Sequence, residues 1–140
     1  MNYHFRRLAV TIGLSALVGS ALLIAGTGNR GTAQVPFDFR VQDRTMPAGA
    51  YTVEEMNVSG VIKIRNEDTG EAIMVLAPPR VSGAPGEPKL VFNRYGDRCF
   101  LSQVWFASEG LGHTLDKSRL EKEIAGVNKT PAMLSSIHLK

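Results

Sequence analysis

Apolar and polar residues alternate in several short stretches of the chain, which is the pattern of β-strands with one buried face. In residues 35–41, VPFDFRV, every second side chain is apolar, and Asp38 and Arg40 lie between them. Similar or continuously apolar runs follow at residues 50–56, 60–65 and 72–76. The sequence MPAG at 46–49 has Pro and Gly where a β-turn prefers them. We therefore predict that residues 35–41 and 50–56 form a first antiparallel hairpin.

Residues 89–106, KLVFNRYGDRCFLSQVWF, predict a central hairpin that turns at Gly96. A two-residue loop at this turn sets a register in which Leu90 pairs with Gln103. The face expected to enter the core consists of Leu90, Phe92, Cys99, Leu101 and Trp105. The opposite face carries four more apolar residues among polar ones, namely Val91, Phe100, Val104 and Phe106.

Aromatic side chains on this opposite face form the candidate binding site. Tyr95, Phe100 and Phe106 belong to it in the predicted register. Aromatic residues usually supply core packing, whereas an exposed aromatic patch usually serves binding. The sequence therefore offers these three residues as a candidate face for a glycan, a peptide or an envelope protein, with core packing as the alternative.

The last third of the chain predicts one short helix. Ser118 and Glu121 have the spacing of a capping box, and Gly126 is placed to end the helix. Residues 81–88 and 108–114 have the composition of loops, and the tail at 127–140 is compatible with a helix, a strand or a frayed end. The whole pattern predicts a mainly β fold, an antiparallel sandwich or barrel of six to seven strands with one short C-terminal helix.

The N-terminal 33 residues have the layout of a secretory signal peptide. Arg6 and Arg7 precede an uncharged run at 8–26, and small residues offer a cleavage site after Ala33 or within 25–27. The alternative is an uncleaved membrane anchor formed by the same run. The predicted domains are residues 1–33, then a β-domain with its helix at 34–126, then the tail at 127–140. We expect an exported protein that is periplasmic or extracellular.

The excess of positive charge in the sequence comes from this leader. The sequence has 16 Lys and Arg against 13 Asp and Glu, and three of the basic residues are Arg6, Arg7 and Arg30. Without them the net charge is zero, so composition gives no case for nucleic-acid binding. Contact with a membrane is expected only through the leader, if it stays uncleaved.

Candidate catalytic chemistry is sparse. Cys99 is the single cysteine, and its place on the predicted core face makes it a small buried hydrophobe. His113 and His138 are not spaced as metal ligands and are expected to be solvated. Glu121 and Glu123 are expected on the solvated face of the helix. We therefore predict no catalytic, cofactor-binding or metal-binding residues, and a protein that is not an enzyme.

Several motifs together resemble a known family. VPFDF at 35–39, MPAGAYTV at 46–53, LVFNRYGD at 90–97 and KSR at 117–119 resemble a family of small exported bacterial proteins of unknown function. The resemblance covers roughly residues 34–126. It implies export and a β-domain behind a signal peptide, and it implies no activity.

The expected function is that of a non-catalytic periplasmic or envelope-associated binding or structural module. A small-ligand-binding β-barrel is the alternative, and a small hydrolase without a recognisable motif comes third. A ligand-binding barrel would show a lined internal pocket. An interaction module would show an exposed apolar patch or an unpaired edge strand, for which residues 35–41 are the predicted candidate.

Overall fold

The computed structural model describes residues 29–56, 60–83, 86–106, 110–127 and 132–140. These residues form eleven strands and one helix. In chain order they are β1 (Arg30–Val35), β2 (Phe39–Val41), β3 (Arg44–Met46), β4 (Gly49–Glu55), β5 (Val61–Asn66), β6 (Ala72–Leu76), β7 (Pro79–Ser82), β8 (Lys89–Tyr95), β9 (Arg98–Trp105), β10 (Leu111–Thr114), α1 (Arg119–Val127) and β11 (Met133–His138).

The strands lie in two sheets. One sheet has the order β1-β4-β5-β6, and the other has the order β11-β8-β9-β10-β7, with β2 and β3 attached beside β9. Neighbouring strands are antiparallel, except for a parallel contact between β2 and β9. The predicted mainly β class with one short C-terminal helix is therefore confirmed, with more strands than the six or seven expected.

The core lies between the two sheets and is filled by alternate residues of their strands. Phe39 packs against both sheets. Its ring centroid lies 5.1 Å from that of Tyr51 in one sheet and 5.3 Å from that of Phe92 in the other. All three side chains are buried. Edge-to-face contacts of this kind add to the stabilisation from burial of apolar area.

The predicted strand at 35–41 is two strands in different sheets. Val35 ends β1 and Phe39 begins β2, and the buried residues keep the predicted alternation across the break. Pro36 has no N–H to give to a ladder, which explains why pairing stops there. The predicted first hairpin is thus only partly right, since β1 pairs with β4 whereas β2 pairs with β3.

The described residues include the last part of the predicted leader. β1 starts at Arg30, four positions before the expected domain boundary, and pairs with β4 along its full length. Thr32 exchanges two backbone hydrogen bonds with Lys140, at 3.0 and 2.8 Å. Ala33 is buried in the core. The uncharged run at 8–26 lies outside the described residues, and within the described ranges no helix is long and apolar enough to cross a membrane.

Two strands lie where loops were predicted, and the tail forms a third. β7 and β10 pair with each other beside β9, and both contain Pro or Gly, which favoured a loop by composition. β11 pairs with β8 over six register positions, so the part of the tail from Met133 to His138 is a strand, while residues 128–131 lie outside the described residues. β7 and β11 each pair with a strand that is distant in sequence, so local composition could not reveal them, whereas β10 pairs both with β7 and with β9, the strand before it.

The central hairpin is confirmed, but its predicted register holds only from the turn to Phe92. Beyond that point Leu90 pairs with Val104 instead of the expected Gln103. The cause is a β-bulge, because Ser102 is an extra residue on β9 that has no partner on β8. After the bulge, each later side chain of β9 points to the face of the sheet opposite to the one predicted.

The bulge therefore reverses which side chains at the end of β9 are in the core. Val104 and Phe106 point into the core, whereas Trp105 lies outside it and is only half buried. The indole ring instead packs over Gly112 of β10, where an added Cβ would be 2.6 Å from a ring carbon. The prediction that Trp105 shares the core face with Cys99 is therefore wrong.

Candidate functional site

A groove runs between α1 and the turn of the central hairpin, and we call it the helix–hairpin groove. Its volume is about 470 Å³, and its lining residues are Tyr95, Gly96, Asp97, Arg98, Leu120, Glu123, Ile124 and Val127. A second depression of about 410 Å³ adjoins it, lined by Asp38, Phe39, Arg40, Thr45, Asp97, Arg98, Cys99 and Leu120. The two share the lining residues Asp97, Arg98 and Leu120 and therefore adjoin, and we count both as parts of the helix–hairpin groove.

One wall of the groove is the helix, which begins as its sequence predicts. The Ser118 hydroxyl accepts a hydrogen bond from the Glu121 backbone N–H at 3.1 Å, as an N-cap does. The Glu121 carboxylate does not return to the helix start as a capping box requires. Its Oε1 instead accepts hydrogen bonds from Asn93 Nδ2 at 2.9 Å and from the Tyr95 hydroxyl at 3.1 Å.

Glu121 therefore anchors α1 to β8. Only 4% of its surface is exposed, so the prediction that it lies on a solvated face is wrong. Burial, together with the charge of Glu121 and the hydrogen bond to it, raises the pKa of Tyr95 to about 12. The phenol thus stays protonated at neutral pH and donates to the buried carboxylate. Removing the hydroxyl would leave the buried carboxylate with one donor fewer, and removing the carboxylate would leave the buried hydroxyl without its acceptor.

The three residues of the predicted aromatic face are not brought together. Tyr95 and Phe100 share the outer face with ring centroids 5.9 Å apart, but both are buried. Phe106 points into the core, where its ring lies 5.6 Å from that of His113. The bulge separates Phe106 from the other two, and only Tyr95 lines the groove.

The charged lining of the groove contains two arginines and three carboxylates. Asp38 already accepts a backbone N–H at 2.9 Å, and Glu123 pairs with a guanidinium of α1 at 3.1 Å. The charged groups left to face a ligand are those of Arg40, Arg98 and Asp97. Two guanidinium groups against the one carboxylate of Asp97 leave a positive balance in this part of the groove, which favours an anionic group there.

No match was found among protein-family models, curated proteins or solved structures. The resemblance to small exported proteins stays a prediction, and function has to be inferred from the residues of the site.

Cys99 borders this groove but lacks the environment of a nucleophile. It is buried, and burial raises the pKa of its thiol, so the neutral form dominates near pH 7. His113 pairs with Val104, five positions along β9 from Cys99. At about 3.3 Å per residue, the histidine lies roughly 16 Å from the thiol, too far to act as its base.

His113 is a core residue, contrary to the predicted solvated loop. It is 1% exposed, with Nδ1 at 3.0 Å from the Ala77 carbonyl oxygen and Nε2 at 3.9 Å from Glu55 Oε1. His138 is exposed as predicted and lies 3.1 Å from Glu87. Among the residues that the structure describes, no cluster of three or more His, Cys, Asp or Glu could hold a metal ion.

Proposed function

We propose that the protein is an exported, non-catalytic binding module of the cell envelope that takes its ligand in the helix–hairpin groove. The observation that carries the proposal is the division of this groove into an apolar wall and a cationic end. Concave, mostly apolar surfaces with a few polar groups are the usual form of small-ligand sites.

The apolar wall comes from one stripe of α1. Leu120, Ile124 and Val127 are four and three residues apart, so they lie on the same helix face. They line the groove, and Val127 is strongly exposed although it is apolar. A ligand with an aliphatic portion would cover this wall and remove apolar area from water.

The cationic end comes from the strands below the helix. Arg98 lines both parts of the groove, and Arg40 lies on β2 in the second part. A carboxylate or phosphate placed there would form charge-assisted hydrogen bonds with the guanidinium groups. The ligand class that fits both ends is an amphipathic anion, such as an acylated or lipid-derived acid.

The alternatives have less support. A ligand inside the sandwich would compete with a core that is filled by large side chains, among them Tyr51, Phe92 and Met46. A hydrolase would need an activated nucleophile near a base, whereas Cys99 is protonated and distant from His113. Export is supported by the leader pattern at residues 8–26, and cell fractionation of the full chain tests it.

Binding is tested by NMR titration with three probes that share one alkyl chain. Decanoate, decanol and decyltrimethylammonium are added to protein purified from bacteria that express the full chain. We expect decanoate to shift the resonances of Ile124 and Arg98 most strongly. An Arg98→Gln variant should bind it about tenfold more weakly, since one charge-assisted hydrogen bond is lost.

Arg44→Gln is the matched control, because Arg44 is exposed and its partner Glu71 lies outside the groove. Its affinity for decanoate should equal that of the wild type. The proposed ligand class is wrong if the cationic probe binds as well as decanoate. The proposed site is wrong if the groove resonances do not move with any probe.

A further inference from the structure

Strand β6 is an open sheet edge without the usual protection. It is the last strand of the four-stranded sheet, and among the described elements only β5 packs along it. Its sequence, AIMVL, has no charged residue and no Pro. Met74 and Leu76 are 65% and 63% exposed. Edge strands normally carry charges, prolines or bulges that prevent pairing with another chain.

The other described edges differ from β6. The edge of β1 is engaged at Thr32 by the backbone of Lys140. β7 begins with Pro79 and carries Arg80, which pairs with Asp116 at 2.6 Å. β11 has strongly exposed apolar residues at one end only, and two serines, the partly buried Ile137 and a histidine follow. Apolar character along the whole strand is thus confined to β6.

We propose that β6 pairs antiparallel with β6 of a second copy of this chain, about a two-fold axis at Met74. In this register Ala72 lies opposite Leu76 of the second copy, so a small residue meets a large one. Ile73 lies opposite Val75 on the buried face, which joins the two cores at their edges. Met74 meets its own copy on the outer face. A second copy fits better than a charged partner strand because the edge offers no group to pair with a charge.

The lack of charged residues in β6 favours pairing about a two-fold axis. A residue on a two-fold axis faces its own copy, and like charges opposed across strands are destabilising. The nearest preceding charge, Glu71, falls outside the five paired residues and is bonded to Arg44 at 3.0 Å. Pairing would fuse two four-stranded sheets into one sheet of eight strands.

The expected dimer is weak. One pair of five-residue strands covers less than the roughly 1,600 Å² of a standard interface, so dissociation constants of about 10 μM to 1 mM are expected. The proposal does not depend on a ligand in the helix–hairpin groove, which lies on the other sheet.

Sedimentation velocity on protein purified from bacteria that express the full chain tests the pairing between about 10 μM and 1 mM, the range expected for a small interface. The mass should rise towards twice that of the monomer. Met74→Lys, which places two ammonium groups at the axis, should weaken the dimer at least about tenfold. Leu134→Lys, an equally exposed position on the β11 edge, should have no effect.

Circular dichroism establishes that both variants are folded, which their exposure favours. Hydrogen exchange of the wild type gives a second readout, since the amides of 72–76 should become more protected as concentration rises. A protein that stays monomeric over the whole range overturns the proposal. So does a dimer that survives Met74→Lys, or one that Leu134→Lys disrupts instead.

Discussion

Replacing Tyr95 by Phe tests whether Glu121 holds α1 on the sheet. The variant keeps the ring and its contact with Phe100 but removes the hydroxyl that donates to Glu121 Oε1 at 3.1 Å. Among the described residues, the buried carboxylate then keeps Asn93 alone as a side-chain donor. A hydrogen bond to a charged group contributes about 1.5–3 kcal/mol, so the free energy of unfolding should fall by that amount. For a domain of this size the melting temperature should fall by roughly 6–15 °C.

Urea unfolding followed by far-UV circular dichroism measures the loss. A double-mutant cycle with Glu121→Gln should give a coupling energy of at least about 1 kcal/mol, because the two groups touch. Arg119→Gln is the control. Its side chain is 92% exposed in an ion pair with Glu123, and such pairs contribute at most about 0.5 kcal/mol on a helix. A loss below about 0.5 kcal/mol for Tyr95→Phe, with no coupling, would refute the anchoring role.

The stability difference between the wild type and Tyr95→Phe should depend on pH. The pKa of Tyr95 rises from its ordinary 10.0 to about 12 in the folded protein, so the folded state holds the proton more tightly than the unfolded state. The stability from this group is fully present below pH 10 and is lost as the pH rises from 10 through 12. The difference between wild type and Tyr95→Phe should therefore shrink over that range. A constant difference would contradict the assignment.

Three further predictions concern the fold. A chain of residues 34–140 loses most of β1 and its hydrogen bonds to β4. Its free energy of unfolding should be lower than that of a chain of residues 29–140 by at least about 3 kcal/mol. Equal urea midpoints for the two chains would refute this. Gly112→Ala should destabilise by about 1–3 kcal/mol, since its Cβ would lie 2.6 Å from the nearest indole carbon, while Gly126→Ala, with no atom within 4 Å, should not. The Cys99 thiol should react with a disulfide reagent about a hundredfold slower in the folded than in the unfolded protein; comparable rates would show that it is accessible.

Alternation of side chains was sufficient to predict most of the sheet. β5, β6, β8 and β9 fall where the apolar pattern places them, because a half-buried strand needs little more than its own period of two. The register of the central hairpin failed at Ser102, since a bulge depends on how two strands twist around the same core. That one extra residue moved Phe106 from the candidate site into the core.

The candidate site was harder to predict than the fold. Glu121 looked solvated because a carboxylate on a short helix usually is, and its donors lie on β8, 28 and 26 positions away in sequence. The groove itself lies between α1 and the hairpin turn, which the sequence does not show to be neighbours. His113 was misjudged for the same reason, as its burial depends on a carbonyl 36 positions away.

The hydrogen bonds between Thr32 and Lys140 also fix where the start of the described chain lies relative to the helix–hairpin groove. They bring the first and last described strands together beside Pro88, at the start of β8. The helix–hairpin groove lies at the other end of β8, seven residues away, which is roughly 23 Å at about 3.3 Å per residue. Any segment that precedes Asn29 therefore joins the domain at the end remote from the groove. A tether through that segment, to a bilayer or to a fused protein, would therefore hold the domain at the end opposite the groove.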